Sequence, residues 1–257
     1  MKSLIFLVLC FFVSCSQAQT QFDVDNSQKV DHGIWTELLK KHVLPDGFVD
    51  YQGLVEDSVK LNNYTKKLSD NPPASQWSDD EKMAYWINAY NAFTIKLIVD
   101  NYPVESIKDL NPTLTIPLIR TVWTQKWFQI GGEDFSLDHI EHKILRKEFE
   151  EPRIHFAVNC ASVSCPVLRP EAFTADKLER QLEEQASIFI NDESRNKINK
   201  TDIQISKIFS WFSGDFTNGQ SLIKYLNQYS KISIDENAKV KHLDYDWRLN
   251  NIDLSGR

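Results

Sequence analysis

The residues of this chain best suited to covalent chemistry lie in one short stretch. Cys160 and Cys165 flank a loop of small residues, Ala161 to Ser164, that is too small to cover a neighbouring side chain. A cysteine nucleophile needs access to its target and an ionised sulfur, and a loop of this kind supplies the access. The stretch therefore predicts a reactive thiol, with Cys160 as the nucleophile.

The segment just upstream supplies groups that could activate this thiol. At 100° per residue, Glu141 projects close to the apolar stripe of a predicted helix, and His142 lies on the flank of that stripe. We expect His142 to take the thiol proton as a general base, with Glu141 or the amide of Asn88 orienting its ring. Together with Cys160, these residues predict a thiol-dependent hydrolase or acyltransferase that acts on a peptide-like or other amide substrate.

Two other interpretations use the same cysteines. Cys160 and Cys165 could form a disulfide, which would shape the loop and exclude a free nucleophile in the oxidised protein. Alternatively, His142 and His155 could bind zinc together with the two cysteines, because these residue types suit the metal. No paired Cys-x-x-Cys spacing supports the zinc site, and His155 could simply pack inside the protein.

Glu141 also has a structural interpretation. A carboxylate on a core-facing stripe is costly unless it is paired, and Arg146 and Arg153 are nearby candidates for an ion pair. If the motifs serve only structure, the alternative function is a non-catalytic cell-envelope module that binds a partner, with the cysteine loop as a structural feature.

A long helix is predicted to organise the domain. Ser78 can cap a helix that runs from about Asp79 to Asn101, and its apolar residues spread nearly all round, which indicates a central buried helix. Asn88 and Asn91 share one arc with core residues. Buried amides need hydrogen-bond partners, so we expect these two to pin a neighbouring loop or to line a site.

The remaining pattern predicts an α+β fold. Lys126 to Phe135 is typical of a β-hairpin with a Gly-Gly turn, and Ile154 to Asn159 is predicted to be the strand that delivers Cys160. We expect one helix-rich domain with a small, mainly antiparallel sheet. Further elements are predicted as helices near 34–39, 54–68, 137–149, 175–190 and 221–229 and as strands at 203–205 and 240–243.

The N-terminus predicts export. Residues 1–18 combine one early lysine, the apolar run Leu4–Val13 and small residues behind it, as a signal peptide does. A lipobox ending at Cys15 is the alternative, with cleavage before that residue and a lipid on it. Residues 19–30 are then a polar tether and 31–257 a single domain. We expect a periplasmic protein, or a lipoprotein anchored to the inner or outer membrane of a bacterium.

The composition excludes some classes of function. The formal net charge of the 257 residues is −7, and no basic cluster stands out, so the electrostatic footprint of a nucleic-acid binder is absent. The sequence has neither a Gly-rich phosphate loop nor a His-Glu-x-x-His motif. We therefore expect no cofactor, and the expected partner is a small or peptide-like substrate.

Several separated blocks, in order, resemble the bacterial exported branch of domain-of-unknown-function family 547. The blocks are Tyr85–Ala92, Leu137–Arg146, His155–Pro166, Phe209–Phe212 with Asp215–Phe216, and Tyr245–Asn250. The resemblance implies that Glu141, His142 and Cys160 occupy motif positions, whereas the position of Cys165 varies more between branches. The order of a histidine before an Asn-Cys step is similar to that in permuted papain-like enzymes, so a papain/transglutaminase-like fold is expected by analogy.

Overall fold

The computed structural model describes residues 27–112 and 120–255. The predicted signal peptide, Cys15 and most of the predicted tether lie outside the described residues. Within them, the chain forms a helix-rich α+β single domain, as predicted. No helix within these described residues combines the length and apolar character needed to span a bilayer.

Helices make up most of the regular structure in this part of the chain. In order, they are α1 (Gly33–His42), α2 (Tyr51–Glu56), α3 (Ser58–Asp70), α4 (Asp79–Asn101), a π-helix (His139–Leu145), α5 (Arg146–Glu148), α6 (Ile154–Ala157), α7 (Leu178–Ile190), α8 (Ile208–Trp211), α9 (Ser213–Thr217) and α10 (Leu222–Leu226). The strands are β1 (Phe128–Ile130), β2 (Glu133–Phe135), β3 (Lys197–Ile198), β4 (Asp202–Ile205) and β5 (Lys239–His242). Short 3₁₀ turns span Ile107–Leu110 and Ile252–Leu254.

Helix α4 is the centre of the domain, and its predicted bounds are confirmed. Ser78 and Glu81 form a capping box that satisfies backbone donors at the helix start. Side chains are buried on every face from Met83 to Ile95. Such a helix is held by packing on all sides, so it can position side chains for several neighbouring segments.

The described residues contain two clusters of buried apolar residues, of which the larger includes this helix. The larger one contains α1 to α4 and the π-helix. The smaller one lies against α7 and joins Phe156, Phe189, Phe209 and Phe216 through ring contacts of 5.0 to 6.0 Å. Phe156 belongs to α6, so the segment that leads to Cys160 is anchored in the second cluster.

The predicted hairpin is confirmed, and the other sheet is mixed. Strands β1 and β2 pair antiparallel, with Phe128 opposite Phe135. Strand β4 pairs antiparallel with β3 and parallel with β5. Two of the three strand pairings in the described residues are antiparallel, as predicted for a mainly antiparallel sheet. The β4–β5 pair is parallel because helices α8 to α10 lie between these strands, and a crossover of that kind returns the chain in the same direction.

The predicted strand from Ile154 to Asn159 is wrong. Ile154 to Ala157 forms the single helical turn α6, and the backbone becomes extended only from Val158. All four residues of the turn are buried. A short apolar run that is buried all round has no alternation, so its pattern does not separate a strand from a buried helical turn.

Replacing Gly47 by alanine is expected to destabilise the fold by about 2 kcal/mol, since a Cβ would be strained and overpacked there. Gly47 has a φ of +85°, and a Cβ would lie 2.7 Å from Cβ of Val167, just beyond the cysteine loop. Gly132 is the matched control, with a φ of +82° and open space around it. Urea unfolding should show the smaller loss for Gly132→Ala, and equal losses would contradict the role of Val167.

Candidate active site

Cys160 and Cys165 are joined by a disulfide, with their Cα atoms 6.2 Å apart. The bridge that the sequence left as an alternative is therefore formed, and neither sulfur is a free thiol in this state. The two residues differ in accessibility: Cys165 is 2% exposed, whereas Cys160 is partly exposed. A reagent from solvent consequently meets Cys160 first.

Three hydrogen-bond donors surround the two sulfurs. The Tyr245 hydroxyl lies 3.3 Å from Cys160 Sγ and 3.2 Å from Cys165 Sγ. The Ser162 hydroxyl lies 3.4 Å and 3.5 Å from the same atoms, and the backbone N–H of Cys160 donates to Cys165 Sγ over 2.9 Å. Burial raises the pKa of Tyr245, so its hydroxyl keeps its proton and can donate at neutral pH.

The central helix holds one side of the cysteine loop. Asn91 donates to the carbonyl of Ala157 over 2.9 Å and accepts from the N–H of Asn159 over 2.8 Å. Asn159 donates to the carbonyl of Pro166 and accepts from the N–H of Ala161. Ala161 has a φ of 59°, a left-handed conformation that costs about 1 kcal/mol for a residue with a Cβ. The loop is therefore fixed in a strained conformation.

Arg195 holds the other side of the loop. Its Nε donates to the carbonyl of Cys165 over 2.6 Å, and its Nη2 donates to the carbonyl of Val163 over 3.0 Å. The guanidinium is oriented by an ion pair with Asp192. Two clamps, one from α4 and one from Arg195, thus fix the backbone on both sides of the disulfide.

The segment that carries Glu141 and His142 is a π-helix. The N–H of Arg146 bonds to the carbonyl of Glu141, which is the i to i+5 pattern of this wider helix. Ile140 and Ile144 are buried, as predicted for the apolar stripe. The predicted directions of the Glu141 and His142 side chains assumed the narrower α-helix, so they do not apply in a π-helix. π-Helical turns are frequent at functional sites.

Glu141 connects this helix to the sulfurs. Burial raises the pKa of Tyr90, and the nearby Glu141 carboxylate raises it further. Glu141 also lies close enough to Tyr245 to raise its pKa further. The Glu141 carboxylate also raises the pKa of Arg146. The ion pair of Arg146 is with Asp215, so the predicted direct pair of Glu141 with Arg146 is not formed.

His142 belongs to a chain of charged and polar groups. Arg146 meets Asp215 with two hydrogen bonds, of 2.6 Å and 2.9 Å, and its Nη1 lies 3.0 Å from Nδ1 of His142. Asp215 also bonds to Nε2 of His155 over 2.7 Å. An arginine only donates, so Nδ1 of His142 accepts and the ring proton is on Nε2, which faces Asp138 at 3.6 Å.

The zinc interpretation finds no support in this arrangement. The two sulfurs are bonded to each other, and His155 is 2% exposed, stacked on Phe212 and bonded to Asp215. Across residues 27–112 and 120–255, no group of three or more histidine, cysteine, aspartate or glutamate side chains is placed to hold a metal ion.

The four predicted site residues occupy three different surroundings. Asn88 donates to the carbonyl of Phe173 over 2.7 Å and accepts from its N–H over 3.0 Å, so it pins a loop, as one of its two predicted roles required. The hydrogen bond of His142 goes to Arg146, whereas Cys160 Sγ meets the hydroxyls already described. No hydrogen bond joins Cys160 to His142 in the described part of the chain, and their catalytic roles stay predictions.

The blocks that carry the resemblance thus meet around α4, the π-helix and the cysteine loop. Residues 74–190 match the family described as protein of unknown function, DUF547. The predicted family resemblance is confirmed over this segment, which contains the two clamping asparagines and both sulfurs. No curated protein and no solved structure matches the chain, so the papain/transglutaminase-like likeness stays a prediction.

Three groups of the candidate site come from beyond the DUF547 match. Tyr245 reaches the sulfurs, Asp215 anchors Arg146 and Arg195 clamps the cysteine loop, and the sequence analysis assigned none of them a role. The sequence did contain a signal for a buried polar contact of Asp215, because a carboxylate inside the aromatic run from Trp211 to Phe216 needs a partner. The signal for Tyr245 was its place in the resemblance block Tyr245–Asn250, but that block carries no periodic pattern that would place the side chain near the two cysteines.

An aromatic patch of Trp211, Tyr245 and Trp247 borders the sulfurs. The ring centroids of Tyr245 and Trp247 are 4.5 Å apart, and those of Trp211 and Tyr245 are 4.8 Å apart. Trp211 is 47% exposed. Because Tyr245 belongs to both the patch and the sulfur site, a molecule that approaches Cys160 meets apolar ring faces beside it.

A cavity of about 550 Å³ reaches the other end of the polar network. Arg146 and Asp215 line it together with Arg153, Tyr225 and Tyr229. The network that positions His142 is therefore open to solvent at Arg146 and Asp215, on the side of α9 and α10. The DUF547 segment supplies only part of this lining, because α9 and α10 follow it.

Proposed function

We propose that the protein is a thiol-dependent hydrolase or acyltransferase whose reactive atom is Cys160 Sγ, and that the disulfide is the oxidised state of this site. The observation that carries the proposal is the setting of that sulfur: Cys160 is a partly exposed residue, and its Sγ lies 3.3 Å from the Tyr245 hydroxyl. Donors aimed at a sulfur favour the thiolate, which is the nucleophilic form.

The step begins after the bridge has been reduced to two thiols. The Cys160 thiolate attacks the carbonyl carbon of an amide-like substrate, a C–S bond forms, and the amine leaves after taking up a proton. Water then attacks the thioester, which releases the acid and restores the thiol. For a transferase, a second nucleophile replaces that water.

The described contacts suggest how protons move during this step. The hydroxyl oxygen of Tyr245 lies 3.3 Å from Cys160 Sγ, and the Glu141 carboxylate lies near that hydroxyl. His142 can serve as the base only after its Nδ1 exchanges the bond to Arg146 for one to the thiol. Such rearrangement is common, because catalytic hydrogen bonds often tighten only when substrate is bound.

A second function is favoured by the two clamps on the loop. Arg195 and Asn91 fix the bridged loop as firmly as a structural feature requires, and the aromatic patch beside it is a surface on which a partner could pack. On this proposal the protein is a non-catalytic cell-envelope module with a structural cysteine loop.

Acylation of the reduced protein separates the two functions. With p-nitrophenyl acetate as the probe, the enzyme should release one equivalent of nitrophenolate in a burst and carry the acetyl group on the Cys160 peptide, as peptide mass mapping can show. Cys165→Ser should keep this burst because it keeps the exposed thiol, and Cys160→Ser should lose it. A reduced, folded protein with an unacetylated Cys160 thiol would favour the binding module.

Tyr245→Phe is expected to slow alkylation of the reduced Cys160 thiol by iodoacetamide at neutral pH by about 3- to 10-fold, because one donor to the thiolate is lost while the nucleophilicity of the sulfur rises in part compensation. The pH at which alkylation becomes fast should move upward. Tyr229→Phe, in the second core cluster, is the control. An unchanged pH profile in Tyr245→Phe would remove Tyr245 from the site.

Export is part of the same proposal. Residues 1–18 have the composition of a signal peptide, and a disulfide persists in the oxidising compartments outside the cytoplasm. Intact mass of the protein recovered from its native cells should show loss of the leader, with a lipid on Cys15 if the lipobox is used. A full-length, unprocessed chain in the cytoplasm would overturn this part.

A further inference from the structure

We propose that the same site carries out thiol–disulfide exchange with a dithiol, and that the attack is directed to Cys160. This activity uses the sulfur of the proposed function but does not depend on acyl transfer. It rests on an asymmetry between the two halves of the disulfide, in their exposure and in their hydrogen bonds.

Exposure decides which sulfur is attacked. Cys165 is 2% exposed and its neighbours Ser162 and Pro166 are buried, whereas Cys160 is partly exposed. An incoming thiolate must approach the sulfur along the line of the S–S bond, and only the accessible sulfur permits this approach. Cys160 is therefore the electrophile.

Hydrogen bonds decide which sulfur leaves. Cys165 Sγ is the acceptor for the N–H of Cys160 at 2.9 Å, and the hydroxyls of Tyr245 and Ser162 lie 3.2 Å and 3.5 Å from it. The two hydroxyls lie at nearly the same distances from Cys160 Sγ, 3.3 Å and 3.4 Å, so the difference between the sulfurs is the N–H of Cys160, which donates to Cys165 Sγ. This additional donor stabilises the negative charge that develops on Cys165 Sγ when the S–S bond breaks, and a stabilised thiolate leaves faster. The buried sulfur is thus the better leaving group, and both criteria select the same direction of attack.

The exchange balances in two steps. The first thiolate of the external dithiol attacks Cys160 Sγ, the S–S bond breaks, and Cys165 leaves as a thiolate. The second thiolate then attacks the external sulfur of this mixed disulfide and releases Cys160. Two electrons pass to the protein, which ends as a dithiol, and the external dithiol ends as a disulfide.

Native, oxidised protein treated with dithiothreitol, quenched with acid and alkylated provides the test. We expect reduction without denaturant, at a rate within about 10-fold of that of glutathione disulfide, an open disulfide in solution. Ser162→Ala and Tyr245→Phe should each slow it, since each removes a donor to the leaving sulfur, whereas Ser187→Ala on α7 should not. A bridge that dithiothreitol reduces only in denaturant would overturn the proposal.

Single-cysteine variants test the direction of attack. Cys165→Ser should form a mixed disulfide with glutathione disulfide at Cys160, at least about 10-fold faster than Cys160→Ser forms one at Cys165. Equal rates would overturn the assigned direction. Cys165→Ser cannot form the internal bridge but keeps the proposed nucleophile. If this variant is acylated while the wild-type disulfide does not react with dithiothreitol, the exchange proposal fails and the proposed acyl transfer stands.

Discussion

Replacing Asp215 by asparagine is expected to lower the free energy of unfolding by about 3 kcal/mol, the lower end of the range for breaking a buried charge pair. The substitution keeps the shape of the side chain but removes the charge that Arg146 meets with two hydrogen bonds and that also bonds to His155. The lower end applies because 28% of the Asp215 side chain stays exposed, where solvent screens the interaction.

Asp244→Asn provides the matched control. Asp244 also forms an ion pair, with Lys207 at 3.0 Å, but its side chain is fully exposed. Exposed pairs of this kind contribute little to stability, so this variant should unfold at nearly the same urea concentration as the wild type. Urea unfolding followed by tryptophan fluorescence measures both variants. Similar losses in the two proteins would show that the Asp215 network does not stabilise the fold.

The Asp215 network also predicts a pH dependence. The hydrogen bond from His155 lowers the pKa of Asp215 most, and the hydrogen bond from Arg146 lowers it further. Burial acts in the opposite direction but is the weaker effect, so the pKa of Asp215 lies well below its ordinary value. A carboxyl whose pKa is lowered by folding adds stability above its unfolded pKa and loses it as the pH falls towards the folded one. From about pH 5 downward, the wild type should therefore lose more stability than Asp215→Asn. Parallel curves would contradict this origin of the stability.

The sequence predicted best those elements whose signals are local. Helix α4 begins and ends at its predicted residues because Ser78 and Glu81 form a capping box and the apolar run is long. The β1–β2 hairpin followed from the turn at Gly131 and Gly132. Both signals depend only on neighbours within a few residues, so no knowledge of the tertiary structure was needed.

Predictions about side-chain direction depended on an assumed helix geometry. Glu141 and His142 were placed by the 100° rotation of an α-helix, but the segment is a π-helix whose residues turn differently. The sequence therefore identified the residues of the predicted couple, but it did not predict which groups contact the His142 ring and the Glu141 carboxylate. Nδ1 of His142 accepts from Arg146, and the Glu141 carboxylate lies near the hydroxyl of Tyr90, whose pKa it raises.

Groups brought in from distant parts of the chain were beyond reach. Tyr245 lies 85 residues after Cys160, and Asp215 lies 69 residues after Arg146. Each arrives on a segment with no long periodic pattern, so only the packing of the folded chain reveals the contact. The candidate site was thus half predicted: its sulfurs were identified, and the donors that tune them were missed.

Asn91→Ala is expected to destabilise the protein by about 3 kcal/mol, because it leaves two buried backbone groups without partners, at about 1 to 3 kcal/mol each, while the helix gains slightly in propensity. The amide of Asn91 is the partner of the Ala157 carbonyl and the Asn159 N–H. Both groups belong to the segment that leads into Cys160, so the loss should also loosen the cysteine loop.

Asn88→Ala separates the effect on stability from the effect on the site. Asn88 lies one turn earlier on the same helix, is equally buried and makes the same two kinds of bond, but with the backbone of Phe173. Both variants should therefore unfold at similar, lower urea concentrations. After native reduction, iodoacetamide should label Cys165 as well as Cys160 in Asn91→Ala, whereas Asn88→Ala should keep the preference for Cys160. If Cys165 stayed protected in both, Arg195 alone would be sufficient to hold the loop, and the central helix would have no part in setting which sulfur reacts.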